Sequence, residues 1–266
     1  MARILSGGVL VTIAVLGVIY APCTHFMIGI GVIGTACLHE YFGLARAMGL
    51  RVQPWFAYPA FWILLLDFRM GFLPLPAVIG SVLMAGFLSV LWRRQQVRDR
   101  ALVLMAEVFG VAYFVSFLYP AIPIRCDFGD PWGMHWTLLL LIVIWSGDTA
   151  AFVVGKAFGR TPFAPVLSPR KTWEGSIGGL LAGIGMAVAA RHVFFQDLPE
   201  FHVIVVSVVL GILGQMGDLA ESLLKRAAAA KDSSHLIPGH GGVLDRMDSL
   251  LFAFPALYLY LCLFCR

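Results

Sequence analysis

The sequence predicts an all-α protein, a polytopic integral membrane bundle of about nine transmembrane helices with a cytoplasmic N-terminus. Hydrophobic residues make up 60% of the 266 positions, charged residues only 13%, and the mean hydropathy is +0.87. Apolar segments long enough to cross a bilayer follow one another, and Lys and Arg gather in alternate connections between them. A soluble domain has a more even balance of polar and apolar residues, so the predicted solvent is lipid.

Each predicted span is an apolar segment of roughly the 17 to 25 residues that a bilayer requires. The segments lie near residues 4–20, 24–48, 54–72, 74–92, 101–122, 135–155, 174–195, 201–221 and 249–265. Backbone groups that face lipid must satisfy their own hydrogen bonds, so helices rather than open sheets are expected.

The positions of the basic residues predict the orientation. Of the 19 Lys and Arg residues, all but four fall in connections that this topology places in the cytoplasm. The four exceptions are Arg69, Arg125, Arg191 and Arg266. The positive-inside rule therefore supports the topology and places the polar run 222–248 in the cytoplasm. Arg3 before an apolar run resembles a signal peptide, but no cleavage site with a soluble domain follows, so a first span is expected.

The polar connection Arg93–Arg100 divides the chain into two predicted regions. Residues 1–100 are expected to form an N-terminal membrane scaffold of about four helices. Residues 101–266 are expected to form a catalytic region of about five helices, with cytoplasmic loops 156–173 and 222–248. The connection itself is either a lipid-headgroup contact or, as we favour, a solvated connector that fixes topology.

Isolated charged residues and cysteines of the chain each have an expected role. Glu40 is expected to be structural rather than functional, Asp67 and Arg69 are expected to pair, and Glu107 is a membrane acid without a nominated partner. The five cysteines, at 23, 37, 126, 262 and 265, suggest no disulfide framework and are expected to be buried thiols.

Three acidic clusters are predicted to converge on the cytoplasmic side. The first is Asp148, a charged residue inside an apolar segment, where insertion costs about 2.5–3.5 kcal/mol and implies a partner. A simple hydrogen bond between packed helices is its alternative explanation.

The second cluster lies at the end of the eighth segment. Asp218, Glu221, Ser222 and Lys225 recur at i, i+3, i+4 and i+7, so a helix would place them on one face. A plain ladder of ion pairs is the alternative.

The third cluster precedes the ninth segment. Gly241 and Gly242 would let backbone amides approach a phosphate, and Asp245 and Asp248 follow at i, i+3 spacing. Carboxylates combined with phosphate suggest Mg²⁺. The alternative is a purely structural turn in which the aspartates cap the N-terminus of the next helix. His240 is expected to lie near the site, either at a phosphate or within the turn.

The loop before the seventh segment carries further cations. Arg160, Arg170 and Lys171 would suit a polyphosphate bound beside a metal ion. Trp173 is equally consistent with an interfacial belt residue and a substrate contact.

The motifs together resemble the phosphatidate cytidylyltransferases, also called CDP-diacylglycerol synthases. The resemblance rests on the run Ser222-x-Leu-Lys-Arg-x4-Lys-Asp-x-Ser-x2-Ile-Pro-x-His-Gly-Gly-Val-x-Asp-Arg-Met-Asp248, on Ser168-Pro-Arg-Lys-Thr-Trp-Glu-Gly175 and on Gly147-Asp-Thr-Ala-Ala-Phe152. It covers residues 145–250 strongly, while the first 130 residues match only in hydrophobic character and at Glu40.

The resemblance implies a magnesium-dependent membrane enzyme that condenses CTP with phosphatidate to give CDP-diacylglycerol and pyrophosphate. It also implies a homodimer and a centre of two cations, Mg²⁺ and a second one. The expected catalytic residues are Asp218, Asp245, Lys225, Arg226 and Asp248, and the expected metal ligands are Asp218 and Asp245, followed by Asp248 and Asp148. The expected substrate-binding residues are Ser222, Lys231, Asp232, His240, Gly241, Gly242, Arg246, Arg170, Lys171 and Thr172.

Two other functions are alternatives to this one. The first is that of a related polyprenol or dolichol-type lipid kinase, and the second, from another class, is that of an ion-coupled transporter. Nucleic acid is not an expected partner, because no segment combines basic and aromatic residues as nucleic-acid binding requires. The net charge of +4 favours anionic lipid or a phosphorylated substrate. We expect a location in the bacterial inner membrane with the site facing the cytoplasm.

Overall fold

A computed structural model describes residues 2–237, 239 and 241–264, with side chains described from residue 7 onward. Within those residues the chain forms ten α-helices and one two-stranded hairpin. The helices are α1 (Ala2–Tyr20), α2 (Cys23–Ala47), α3 (Ala57–Met70), α4 (Leu75–Leu91), α5 (Val97–Leu118), α6 (Ala121–Cys126), α7 (Trp132–Phe158), α8 (Trp173–Phe194), α9 (Glu200–Ala227) and α10 (Leu244–Phe264). The fold is therefore nearly all-α, as predicted.

The predicted apolar segments coincide with helices, but not all of these helices are long enough to cross a bilayer. Six helical stretches of the described chain are long and apolar enough: α2, α5 with α6, α7, α8, α9 and α10. The 14 residues of α3 would extend only about 21 Å, less than the hydrocarbon thickness of about 30 Å. The chain is a multi-pass membrane protein, while the count of about nine spans and the cytoplasmic N-terminus stay predictions.

A β-hairpin lies in the predicted loop 156–173. Strand β1 (Pro162–Ala164) pairs antiparallel with β2 (Ser168–Thr172), and β2 leads directly into α8. These strands are not predictable from the apolar pattern of the sequence, because their few residues lie outside the apolar segments.

Glycines let the C-terminal helices approach closely. A Cβ atom added to Gly179 of α8 would lie 2.6 Å from the carbonyl oxygen of Gly147 in α7. A Cβ atom on Gly217 of α9 would likewise collide with the carbonyl oxygen of Asp248 in α10. Small residues of this kind allow backbone-to-backbone packing of membrane helices. They bring the polar residues of α7, α9 and α10 into one region.

The disulfide Cys23–Cys126 corrects the expectation of buried thiols for these two residues. It joins the first residue of α2 to the last residue of α6, with the two Cα atoms 5.8 Å apart. Spacing could not reveal the bond, because 103 positions separate its cysteines. Cys37 and Cys262 are free thiols, and Cys265 lies outside the described residues.

The expected pairing of Asp67 with Arg69 is wrong. Arg69 pairs instead with Asp127 after α6, at 2.6 Å, while Asp67 accepts a hydrogen bond from the amide of Leu73 and closes the end of α3. Glu107, for which the sequence offered no partner, forms two hydrogen bonds with Arg93, at 2.9 and 3.0 Å.

Glu40 in α2 is the structural residue that the sequence analysis expected. Its carboxylate is 3% exposed and accepts hydrogen bonds from the hydroxyls of Ser233 (2.8 Å) and Ser234 (2.7 Å). It also accepts from the amides of Val243 (2.9 Å) and Leu244 (2.8 Å). These four donors fasten the connection between α9 and α10 to α2.

The substitution Glu40→Gln is expected to loosen that connection, because the new NH₂ group faces donors where the carboxylate accepted hydrogen bonds. Hydrogen bonds to a charged group contribute about 1.5–3 kcal/mol each. Hydrogen exchange followed by mass spectrometry should show clearly faster exchange in residues 229–244 of the variant. Glu200→Gln, which changes a half-exposed acid at the start of α9, serves as the control. Equal protection in wild type and Glu40→Gln would contradict this role.

Candidate active site

Three carboxylates meet where α9 ends and α10 begins. Asp218 and Glu221 of α9 and Asp248 of α10 each offer an oxygen atom, and the three oxygens lie within 4.8 Å of one another. We call these three residues the acidic cluster. The i, i+3 spacing places the first two on one face of α9, and the close approach at Gly217 brings α10 alongside. Such a set of oxygens has the chemistry that a divalent cation prefers.

Glu221 bears on whether the acidic cluster has the chemistry to accept a ligand. This residue is 1% exposed, and its Oε1 atom has no hydrogen-bond partner among the described residues. A buried oxygen of a charged group is costly to leave unpaired. The residues present therefore fit a bound cation. Asp148 in α7 lies within electrostatic range of Asp218 and Asp248 and adds negative charge to the same region.

Two lysines border the acidic cluster. Lys171 of β2 forms an ion pair with Asp218. Lys225 of α9 forms an ion pair with Glu221 and a second one, at 2.7 Å, with Asp245. Lysines and carboxylates thus lie side by side around the acidic cluster. This arrangement suits an anion that is chelated to a metal ion.

Asp245 lies beside the acidic cluster rather than within it. Its Oδ1 atom accepts from Lys225, while Oδ2 accepts from the amides of Ser233 (2.9 Å) and Gly242 (2.8 Å). The one hydroxyl proton of Ser233 is shared between Oδ2 of Asp245 (2.9 Å) and Glu40 (2.8 Å). Both oxygens are engaged, so in this state the residue orders the connection before α10. The predicted role of Asp245 as a metal ligand stays a prediction.

The glycines of the third motif pack against that carboxylate. Gly241 has φ +78°, and a Cβ atom there would lie 2.7 Å from Oδ2 of Asp245. The amide of Gly242 donates to the same oxygen. The close backbone approach that the sequence predicted is present, but its partner in the structure is a carboxylate. His240 lies outside the described residues.

The hairpin is fixed to the start of α8 by polar contacts. Glu174 accepts from the amides of Arg160 (3.1 Å) and Thr161 (3.2 Å). Thr172, predicted to bind substrate, caps α8 by accepting from the amide of Gly175 at 3.2 Å. This capping directs β2, with Lys171, toward Asp218.

The remaining predicted site residues surround this core. Ser222 is buried in α9, and Arg226 donates from Nε to the carbonyl oxygen of Leu167 in the hairpin turn at 3.1 Å. The exposed members of the predicted set are Asp148, Arg170, Arg226, Lys231, Asp232 and Arg246.

Two residues of the site were missed as functional candidates. Glu221 belonged to the predicted polar face, yet only the packing of α10 shows that it shares a cluster with Asp248. Ser233 links the carboxylates of Glu40 and Asp245. Its position within the polar run was the available signal, but a serine in a loop has many possible roles.

Comparison with known proteins indicates the family to which the chain belongs. A model described as the cytidylyltransferase family matches residues 1–264. Similar proteins include a phosphatidate cytidylyltransferase of Bacillus subtilis (strain 168), 42% identical over 135 residues, which are 51% of this chain and 50% of that one. Another, from Haemophilus influenzae, is 38% identical over 161 residues, which are 57% of this chain and 55% of that one.

A third relative, the phosphatidate cytidylyltransferase of Staphylococcus aureus (strain N315), is 40% identical over 129 residues, which are 48% of this chain and 50% of the relative. The chain spans about half the length of the curated relatives that it matches. The family model, in contrast, extends over nearly the whole of this chain. The chain therefore belongs to the cytidylyltransferase family.

Proposed function

We propose that this chain transfers cytidylate from CTP to phosphatidate, forming CDP-diacylglycerol and releasing pyrophosphate. The observation that carries the proposal is the acidic cluster, bordered by Lys171 and Lys225, in a membrane protein of the cytidylyltransferase family. The relatives reported above bear the name of this activity. Carboxylates and lysines in this arrangement suit a metal-chelated polyphosphate.

The proposed cation is Mg²⁺, with Asp218, Glu221 and Asp248 as the residues that would hold it. The unpaired buried oxygen of Glu221 supports this assignment. Bound there, Mg²⁺ would neutralise charge on the triphosphate and on the departing pyrophosphate. Asp148 is near enough to reinforce the negative potential. A second cation, with Asp245 as one of its ligands, is the further part of the proposal.

The basic residues of the hairpin and of α9 are proposed to bind phosphate oxygens. Lys171 and Arg170 stand next to each other in β2, and Lys225 and Arg226 stand next to each other in α9. Lysine presents a compact charge and arginine a planar fork of donors, and both suit phosphate. Lys231 and Arg246 are both exposed and are proposed to extend the contact to the nucleotide.

The reaction needs no protein base under this proposal. Phosphatidate carries a phosphate monoester whose second pKa is about 6, so it is mostly dianionic at neutral pH and already nucleophilic. The obstacle is repulsion between that dianion and the triphosphate. The work of the chain is therefore to orient the two anions and offset their charge.

Lipid access is proposed along α7 and α8. Phe152 lies one turn after Asp148 in α7, and Ile177 lies one turn after Trp173 in α8. The apolar side chains of Phe152 and Ile177 and the indole of Trp173 are all exposed. Acyl chains could lie against this surface while the headgroup reaches the acidic cluster.

The proposed orientation places the acidic cluster on the cytoplasmic side. The disulfide Cys23–Cys126 lies at the start of α2, whereas Glu40, which contacts the connection before α10, lies near the other end of that helix. Disulfides persist in oxidising compartments and are rare in the cytosol. The disulfide and the distribution of basic residues therefore support the same orientation by independent arguments.

A homodimer in the bacterial inner membrane completes the proposal. Large apolar side chains on α1 and α4, such as Ile13, Leu83 and Phe87, are exposed in the single chain. Lipid or a second copy would cover them.

Labelled CTP tests the reaction class. Purified protein incubated with phosphatidate, Mg²⁺ and CTP labelled at the α-phosphorus should yield labelled lipid, while a γ-label should leave in pyrophosphate. ATP, GTP and UTP serve as comparison nucleotides. Transfer of the γ-label to lipid would identify a lipid kinase and overturn the proposal.

The acidic cluster can be tested by single substitutions. Asp218→Asn, Glu221→Gln and Asp248→Asn should each lower CDP-diacylglycerol formation by at least about 100-fold, because each removes charge from the proposed metal site. Binding of Mn²⁺, followed by electron paramagnetic resonance, should weaken in parallel. Asp99→Asn, an exposed acid at the start of α5, is the matched control. Variants that retain normal Mn²⁺ binding would exclude these residues as ligands.

Cysteine labelling tests the orientation. Gln96→Cys and Gln196→Cys introduce the same change at exposed positions that the proposal places on opposite sides of the membrane. An impermeant maleimide applied to intact spheroplasts should label the second variant, and the first only after lysis. Unmodified protein gives the background from native thiols. The reverse pattern would place the acidic cluster outside the cytoplasm.

A further inference from the structure

A basic cavity lies in the N-terminal half of the chain, formed by residues that the proposed reaction does not use. It has a volume of about 490 Å³ and lies between the segment before α3, the end of α4 and the connection to α5. Its lining includes Arg51, Trp55, Leu88, Trp92, Arg93 and Arg94. An adjoining cavity of about 570 Å³ shares Arg51, Arg94 and Gln95 with it.

Arg93, one of the lining residues, is held in place by a buried ion pair with Glu107 behind the cavity wall. Arg93 donates to both oxygens of Glu107, at 2.9 and 3.0 Å, and to the carbonyl oxygens of Ser89 (2.9 Å) and Gln53 (3.2 Å). The amide of Gln53 also donates to Glu107 at 2.9 Å. The charge of Arg93 is thereby offset, and its contacts hold three segments in place.

Two other guanidinium groups remain available to a ligand. Arg51 and Arg94 are exposed, and their side chains form no hydrogen bond or ion pair within the described part of the chain. Gln95 donates to the carbonyl oxygen of Arg51 at 3.2 Å, which holds that backbone next to the connection. No carboxylate lines the first cavity among the described residues, whereas Asp99 lines the second. An anion is therefore favoured in the first cavity.

The cavity also has an apolar side. Leu88 lies in the last turn of α4 and is exposed, as are the indole rings of Trp55 and Trp92. Tryptophan is enriched where a membrane protein crosses from hydrocarbon to headgroups. Arg51 and Arg94 line the same cavity as these apolar side chains, which matches a phosphate group attached to acyl chains. Basic pockets between membrane helices bind such headgroups.

The cavity and the acidic cluster lie at the same membrane face. Arg51 follows closely after the end of α2, and Glu40, near that end, contacts the connection before α10. In the proposed orientation this face carries the anionic lipids of the inner leaflet.

We propose that this cavity binds the phosphate headgroup of an anionic phospholipid that the protein does not convert, with Arg51 and Arg94 as the phosphate ligands. The site is separate from the acidic cluster and does not depend on the proposed reaction.

Native mass spectrometry of the full chain tests this proposal. Phosphatidylglycerol is the probe, because it carries an anionic phosphodiester but lacks the terminal phosphate that the proposed reaction uses; phosphatidylcholine is the neutral comparison. The double substitution Arg51→Gln with Arg94→Gln should weaken phosphatidylglycerol binding about 10- to 30-fold, from two lost cation contacts. Arg46→Gln with Arg98→Gln removes the same charge from exposed positions outside both cavities and should leave binding unchanged.

If both double variants lost phosphatidylglycerol binding equally, the effect would be general electrostatic attraction, and the proposed site would be wrong. Unchanged binding in Arg51→Gln with Arg94→Gln would also contradict the proposal. Glycerol 3-phosphate tests the source of the phosphate: competition at the lipid's own concentration would show a soluble ligand and refute the lipid assignment. Dibrominated phosphatidylglycerol provides an independent readout. It should quench tryptophan emission in wild type, and the quenched fraction should fall in Trp55→Phe with Trp92→Phe.

Discussion

The buried carboxylate of Glu40 is the constraint on which the arrangement of the site depends. A charge inside an apolar bundle is tolerated only when hydrogen bonds replace its lost water. Glu40 obtains four donors from a single connection, and that connection is thereby held against α2. Ser233 donates to both Glu40 and Asp245, and Lys225 bridges Asp245 and Glu221. A continuous chain of polar contacts therefore runs from Glu40 of α2 to the acidic cluster, so α2 helps to hold the connection that borders the site.

The same physical rule distinguishes structural carboxylates from the candidate ligand. Glu107 is fully buried, yet both its oxygens face Arg93 and one also accepts from the backbone of Gln53. Asp245 is similarly saturated. Glu221 alone of these buried acids keeps an oxygen without a partner in the described structure. Satisfied carboxylates order the fold, whereas an unsatisfied buried oxygen needs a proton, a water molecule or a ligand as its partner.

The sequence predicted what depends on one segment at a time. Bilayer-length apolar stretches located the helices, and the i, i+3 spacing placed Asp218 beside Glu221. It could not predict which helices face one another, because side-chain directions around neighbouring helices depend on packing across long separations. The partners of Glu40 lie about 200 positions away, the disulfide joins Cys23 to Cys126, and Arg69 reaches past Asp67 to Asp127. The polar run of residues 222–248 was identified from the sequence. Only the geometry of the turn shows that Asp245 accepts hydrogen bonds from the connection whereas Asp248 belongs to the acidic cluster.

Under the proposed function, the position of the acidic cluster along its helices would let one site serve a lipid and a soluble nucleotide. Asp218 stands 18 residues after Glu200, the first residue of α9, so it lies about 27 Å along the helix axis. Asp248 stands 16 residues before Phe264, the last residue of α10, about 24 Å along that axis. Both helices thus cross most of a hydrocarbon layer of about 30 Å before their acids appear. In the proposed orientation the carboxylates would lie near the level of the headgroups, where their burial is least costly and where a phosphate held in the leaflet and one arriving from water would meet.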